Sequence, residues 1–240
     1  MGLAHSPRIV TDGLVFAVDA ANPKSNIGQT NFWYNLMPNN PFSGGRLQLN
    51  SVSYNSTFNA YYFRAPNFGT SNAHTLIGNG YTDLGTADST ISIWCYLTGV
   101  SSEENYIFDL RSYDFNTFTA NTNNYNLIAT SSTNYTLRFN TTNRETFTAS
   151  SSTWNNFVFS RISGDLYTYI NGEYEGVTSG GDNATSDQVI LGDYYTYQGG
   201  SAPNSGFTGY ISNFMIYKGR GLTAAEVKQN FNALRGRYGI

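Results

Sequence analysis

The segment Phe207-Thr-Gly-Tyr-Ile-Ser-Asn-Phe-Met-Ile-Tyr217 indicates the fold most directly, together with two later segments, Leu222-Thr-Ala-Ala-Glu226 and Phe231-Asn-Ala-Leu-Arg-Gly-Arg-Tyr-Gly-Ile240. The first segment is rich in β-branched and aromatic residues, which is typical of a strand. The second and third segments indicate a single short helix with a basic, glycine-broken tail. This order predicts an all-β domain closed by one C-terminal helix.

The helix has clear start and stop signals. Thr223 and Glu226 have the spacing of a capping box, in which each side chain bonds the backbone N–H at the other position. Apolar residues then occur at i, i+4 and i+7, namely Val227, Phe231 and Leu234. Gly236 ends the pattern. The apolar stripe is therefore expected to dock on the strands.

Upstream, short apolar and aromatic runs alternate with turn signals. Gly13–Val18 and Thr90–Leu97 have the length and pattern of buried strands, and Asn171-Gly172 after Leu166–Ile170 predicts a tight hairpin. We count eleven or twelve strands with connections mostly too short for parallel crossovers, so two antiparallel sheets are expected. Residues 1–12 are predicted to be a separate arm, and residues 13–240 one sandwich domain.

Composition excludes several classes of function. Charged residues are 12% of the chain, against about 25% in typical domains, and the net charge is −3, which disfavours a nucleic-acid partner. No apolar run is long enough to span a membrane, and no signal peptide is recognised, so synthesis in the cytoplasm is expected. The one cysteine, Cys95, lies in a strand pattern and is predicted to be a buried apolar residue. The C-terminal basic residues (Lys218, Arg220, Lys228, Arg235 and Arg237) fit solubility, the helix dipole or a protein contact.

Several blocks together resemble a known family. They are residues 13–25, 81–85, 90–94, 154–159, 166–172, 190–192, 207–211, 216–223 and 229–240. In this order they resemble the concanavalin A-like, laminin G-like jelly-roll domain of structural proteins of tailed bacteriophages. The resemblance implies an all-β, two-sheet antiparallel jelly-roll sandwich with one short C-terminal helix. It also implies a virion component that decorates a head, neck or fibre, in several copies or as a homo-oligomer, with other virion proteins as partners.

Catalysis is not expected. Glucanases with this fold need two carboxylates that flank the glycosidic bond, about 5–5.5 Å apart for retention, and the family places them on alternate residues of one strand. Here Glu103 and Glu104 are adjacent in a turn, and Asp109, alone on its strand, is interpreted as a polar group near a turn. The two histidines, His5 and His74, lack a neighbouring nucleophile pattern.

Two groups of residues are candidates for ligand binding. In the Gly-flanked loop at 192–200, Tyr194, Tyr195 and Tyr197 offer apolar faces with polar tips, and Asp193 offers an acceptor. Trp33 and Tyr34, in a long loop at 25–45, have the same character. Both groups fit a glycan or a protein contact, and packing on the sandwich is the alternative.

No cofactor is expected, although calcium stays open. Asp182, Asn183, Asp187 and Asp193 lie in predicted loops, where such residues hold Ca²⁺ or simply form turns. The sequence therefore favours a non-enzymatic virion structural protein, located in the virion. The alternative is a carbohydrate-binding module that recognises a cell-surface glycan.

Overall fold

Eighteen β-strands and one α-helix form the part of the chain that the computed structural model describes: residues 8–28, 31–37, 45–64, 74–77, 84–100, 104–111, 113–114, 119–120, 123–140, 142–180, 182, 188–193 and 206–240. The strands are β1 (Leu14–Asp19), β2 (Phe32–Tyr34), β3 (Arg46–Asn50), β4 (Ser53–Asn55), β5 (Ala60–Phe63), β6 (His74–Ile77), β7 (Ser89–Gly99), β8 (Asn105–Arg111), β9 (Tyr113–Asp114), β10 (Thr119–Ala120), β11 (Tyr125–Ala129), β12 (Asn134–Phe139), β13 (Thr142–Thr148), β14 (Trp154–Ile162), β15 (Asp165–Ile170), β16 (Glu173–Ser179), β17 (Gln188–Leu191) and β18 (Thr208–Lys218). The helix α1 spans Ala224–Leu234 and continues into one 3-10 turn, Arg235–Arg237. The strands exceed the predicted number because several have only two to four residues, too few to show a period of two.

The strands form two antiparallel sheets. Sheet I has the order β16-β15-β14-β7-β18-β5-β4, and β1 also pairs with β18. Sheet II has the order β13-β12-β11-β8-β17-β6-β3-β2, while β9 and β10 form a separate ribbon. Every pairing between these strands is antiparallel, so the predicted all-β, two-sheet sandwich with one C-terminal helix is confirmed.

Aromatic rings join the two sheets. The ring of Phe108 in sheet II lies 6.2 Å from that of Phe159 and 5.8 Å from that of Phe214, both in sheet I. All three rings are excluded from water, and burying each contributes about 1.5–3 kcal/mol. Cys95 lies in the same core, as predicted, and burial raises the pKa of its thiol.

The helix covers the outer face of sheet I. The predicted capping box is confirmed: the Thr223 hydroxyl accepts from the Glu226 N–H, and the Glu226 carboxylate accepts from the Thr223 N–H at 2.9 Å. The apolar stripe is buried, and the ring of Phe231 stacks parallel to Trp94 at 5.6 Å between centroids. Phe231 also lies over Gly172, where the predicted hairpin turn has positive φ.

Both ends of the described chain are docked on this face. Ile9 and Val10 pack against the cluster beneath the helix, and Val10 is hydrogen-bonded to α1. At the other end, the Arg237 guanidinium lies 2.6 Å from the Asp19 carboxylate, and Tyr238 stacks on Trp94. Residues 8–12 of the predicted arm therefore pack against the domain, and residues 1–7 lie outside the described residues.

Candidate functional site

The outer face of sheet II carries a row of polar side chains. Asn126 of β11 lies opposite Asp109 of β8, and Gln188 of β17 lies opposite Arg111 of β8. These positions alternate with core residues, so the polar side chains point away from the core. We call these four residues the polar row. All four are buried.

An ion pair holds the centre of the polar row. Asp109 and Arg111 are two residues apart on one strand, so both side chains lie on the same face and form a salt bridge with side chains 0% and 2% exposed. Asn124 Nδ2 also donates to Asp109 Oδ1 at 3.3 Å. Burial raises the pKa of Asp109, and the Arg111 guanidinium opposes part of that rise. Asp109 thus lies on a strand, as predicted, and its side chain is fully buried in an ion pair.

Glu104, the residue before β8, is also paired. Glu104 forms an ion pair with Arg138, and it accepts a hydrogen bond from the Tyr106 hydroxyl at 2.6 Å. Glu103 lies outside the described residues. Each of these two carboxylates, Asp109 and Glu104, is therefore matched to an arginine rather than to a second carboxylate.

A second cluster, which was not predicted, lies on the outer face of sheet I. Tyr62 of β5, Tyr210 of β18, Tyr96 of β7 and Trp154 of β14 stand opposite one another across four neighbouring strands. We call these four residues the aromatic row. Successive ring centroids are 4.9, 6.0 and 5.7 Å apart, and the rings are inclined by 45° to 78°. Phe58 leans over the row, 4.6 Å from Tyr210.

The aromatic row combines ring surface with the phenol hydroxyls of three tyrosines. Tyr62, Tyr96 and Tyr210 are each partly exposed, whereas Trp154 is buried beneath them. Their three phenol hydroxyls form no hydrogen bond within the described part of the chain. Inclined tyrosine rings with accessible hydroxyls can stack against a sugar ring or a protein side chain and hydrogen-bond it at the same time.

Residues 68–228, more than half of the chain, match a family model described as the concanavalin A-like lectin/glucanases superfamily. The chain belongs to this superfamily. The expected jelly-roll family is therefore confirmed at that level. A comparison with curated proteins found no match.

Solved structures share the fold of this superfamily member at low sequence identity. Trypanosoma rangeli sialidase in complex with sialic acid has a TM-score of 0.66 at 10% identity, over 94% of this chain and 33% of the sialidase chain. The binding domain of botulinum neurotoxin serotype D/C has a TM-score of 0.64 at 14% identity, over 92% of this chain and 52% of the other. The receptor-binding domain of botulinum neurotoxin type G has a TM-score of 0.58 at 13% identity, over 92% and 51%. The chain therefore spans a third to a half of these structures, and the likeness shows the fold.

Two of the four candidate calcium residues, Asp182 and Asp193, lie in the described part of the chain. Asp182 is buried, accepts a hydrogen bond from the Tyr125 hydroxyl at 2.8 Å and forms an ion pair with Arg144. Its two oxygens are thus held by protein groups. Asp193 is fully buried, and its role as an acceptor stays a prediction. Asn183 and Asp187 lie outside the described residues, and no three His, Cys, Asp or Glu side chains converge among the residues that are described.

The candidate aromatic residues fall into three groups. Trp33 is fully buried in β2 and packs 4.9 Å from Tyr61 in the core, which agrees with packing, the stated alternative to ligand binding. Tyr34 lies beside it in β2 and is half-buried. The loop tyrosines Tyr194, Tyr195 and Tyr197 lie outside the described residues, so their role stays a prediction.

The remaining residues singled out in the sequence are basic side chains near the C-terminal end and the two histidines. Three of the C-terminal basic side chains form ion pairs within the domain: Arg220 with Asp12 and Glu226, Lys228 with Glu173, and Arg237 with Asp19. His74 lies in β6, and His5 is outside the described residues. The described helices include none that is long and apolar enough to cross a bilayer.

Proposed function

We propose that the chain is a non-enzymatic structural protein of a virion, in which a lectin-like sandwich decorates a head, neck or fibre in several copies. One observation carries the proposal beyond the fold. Two of the segments that carry the resemblance to phage proteins, at 13–25 and 229–240, meet in space through the 2.6 Å contact between Asp19 and Arg237. Because Asp19 is only 5% exposed, the carboxylate of this ion pair belongs to the packed interior of the domain rather than to its surface.

The acids support the non-enzymatic part of the proposal. A retaining glycosidase needs two carboxyl groups about 5–5.5 Å apart, one of them free to attack the sugar. Asp109 is instead enclosed with Arg111, and Glu104 is paired with Arg138. Reducing-sugar release that is abolished by Asp109→Asn would contradict this part.

Particle composition tests the virion assignment. Particles purified from an infected culture should contain the chain at a fixed copy number, measured by quantitative mass spectrometry against a major structural protein. The chain should stay with the particles through a density gradient. Its absence from particles, with the chain abundant in the cell lysate, would refute the assignment.

The aromatic row favours a second function, recognition of a cell-surface glycan. Rings at neighbouring positions, with free hydroxyls, suit sugars that present both C–H faces and hydroxyl groups. On a glycan array, Tyr96→Ala and Tyr210→Ala should lose the signal of the unmodified chain. Tyr174→Ala, which removes a 54% exposed tyrosine from β16, should keep it. A flat array for the unmodified chain would rule out this function for the glycans displayed.

A further inference from the structure

The groove between α1 and β18 binds both polar backbone groups of one residue, Val10. Val10 donates its backbone N–H to Asn230 Oδ1 at 2.7 Å, and its carbonyl accepts from the Tyr217 hydroxyl at 2.9 Å. Asn230 Nδ2 closes the ring by donating to the Tyr217 oxygen at 2.9 Å. Both polar backbone groups of one residue are thus held by two buried side chains.

Neighbouring contacts extend this recognition along residues 8–12. Gln229 Nε2 donates to the carbonyl of Arg8 at 2.7 Å, and Ile9 packs against the cluster beneath the helix. Asp12 forms an ion pair with Arg220. The segment is therefore held by side chains of α1 and β18 and of the turn between them, and its own backbone joins no sheet.

A short turn connects this segment to the sandwich. Thr11 accepts a hydrogen bond from the Leu14 N–H at 3.1 Å, and Gly13 has a φ of +75°. If this turn opens, the same segment of a second copy can make these contacts in the groove, because the contacts do not depend on which copy supplies the segment. This is the arrangement that permits exchange of an identical element between protomers at low cost.

We propose that the groove accepts residues 8–12 of a second copy, so that neighbouring copies of the chain are linked by exchanged arms. In dilute solution the arm stays in its own groove, because a short tether gives an effective concentration on the order of mM. Copies held side by side have a local concentration in the same range, so their segments exchange. The inference goes beyond the virion proposal and does not rest on it, because it concerns only contacts between copies of this chain.

Single-cysteine variants test the exchange directly. Arg8 and Gln229 are both exposed and in contact, whereas the native Cys95 is buried and does not compete. Arg8→Cys and Gln229→Cys chains are unfolded together, refolded at a concentration on the order of mM, diluted and treated with a short bis-maleimide. Exchange predicts a covalent dimer that contains one copy of each variant. The control mixture, Arg8→Cys with Ser132→Cys in the exposed β11–β12 turn, should lack this dimer.

Two further samples keep the outcome unambiguous. The double variant Arg8→Cys/Gln229→Cys should become crosslinked within one chain when dilute, which shows that the reagent spans the two sites. The unmodified chain, refolded in the same way at a concentration on the order of mM, should show dimer in light scattering before dilution. An internal crosslink in the double variant, without dimer above the control in the mixture, would overturn the proposal.

Discussion

Asp109→Ala should destabilise the fold strongly, because it removes the carboxylate from a buried ion pair with Arg111. The two side chains are 0% and 2% exposed, so water cannot replace the lost carboxylate. Breaking a buried pair of this kind costs about 3–5 kcal/mol. For a chain of this size that corresponds to a melting temperature lower by roughly 6–20 °C.

Urea unfolding followed by tryptophan fluorescence measures this loss, since Trp33 and Trp94 are buried and report on both layers of the domain. The double variant Asp109→Leu/Arg111→Met removes both charges and should recover to within about 1 kcal/mol of the unmodified chain, or exceed it. Glu175→Ala on the exposed edge strand β16 is the matched control and should change stability by less than about 0.5 kcal/mol. A single variant as stable as this control, or a double variant no better than the single, would refute the reasoning.

Three further predictions concern the same pair and the helix contact. Arg111→Met should make the free energy of unfolding fall as pH rises from about 4, by up to about 1.4 kcal/mol per pH unit. Burial raises the pKa of Asp109, and loss of the guanidinium raises it further, so the folded state keeps a proton that the unfolded chain releases. Urea unfolding across a pH series checks the sign. Gly172→Ala should be more destabilising in thermal unfolding than Gly164→Ala, because both have positive φ but only at Gly172 would the new methyl lie 2.9 Å from Phe231. Phe231→Ala should cost about 3–5 kcal/mol by chemical denaturation, since its ring is 5% exposed and leaves a cavity.

Local signals in the sequence predicted the elements that depend on few residues. The capping box at Thr223 and Glu226 was predicted because a cap needs only two side chains three positions apart. The hairpin at Asn171-Gly172 was predicted because both of its turn residues adopt positive φ, which Asn and Gly tolerate best. In both cases the physical cause lies within four residues of chain.

The two rows could not be predicted in this way. The aromatic row depends on the register of β5, β18, β7 and β14, which lie far apart in sequence and are aligned only by the sheet. Alternation along β8 does predict that Asp109 and Arg111 share a face. It does not show whether that face is open to water, and exposure decides whether a carboxylate is a candidate acid or half of an enclosed ion pair. Trp33 was placed in a loop for a related reason, since β2 has only three residues, too few to show a period of two.

One tyrosine joins the chain end to the aromatic row, so the docked end and the candidate binding surface are not independent. The ring of Tyr238 lies 4.1 Å from that of Trp94 and 4.7 Å from that of Trp154, and its hydroxyl donates to Ser212 Oγ at 3.1 Å. Trp94 in turn stacks on Phe231 of the helix, and the two residues before Phe231, Asn230 and Gln229, hold the segment in the groove. A single layer of rings therefore connects the groove for residues 8–12 with the row of tyrosines on the same face of sheet I. If copies exchange arms, the groove on this face contacts the neighbouring copy. Should that neighbour also cover the aromatic row, arm exchange and glycan recognition compete for one surface, and the crosslinked dimer should give a lower glycan signal than the uncrosslinked chain.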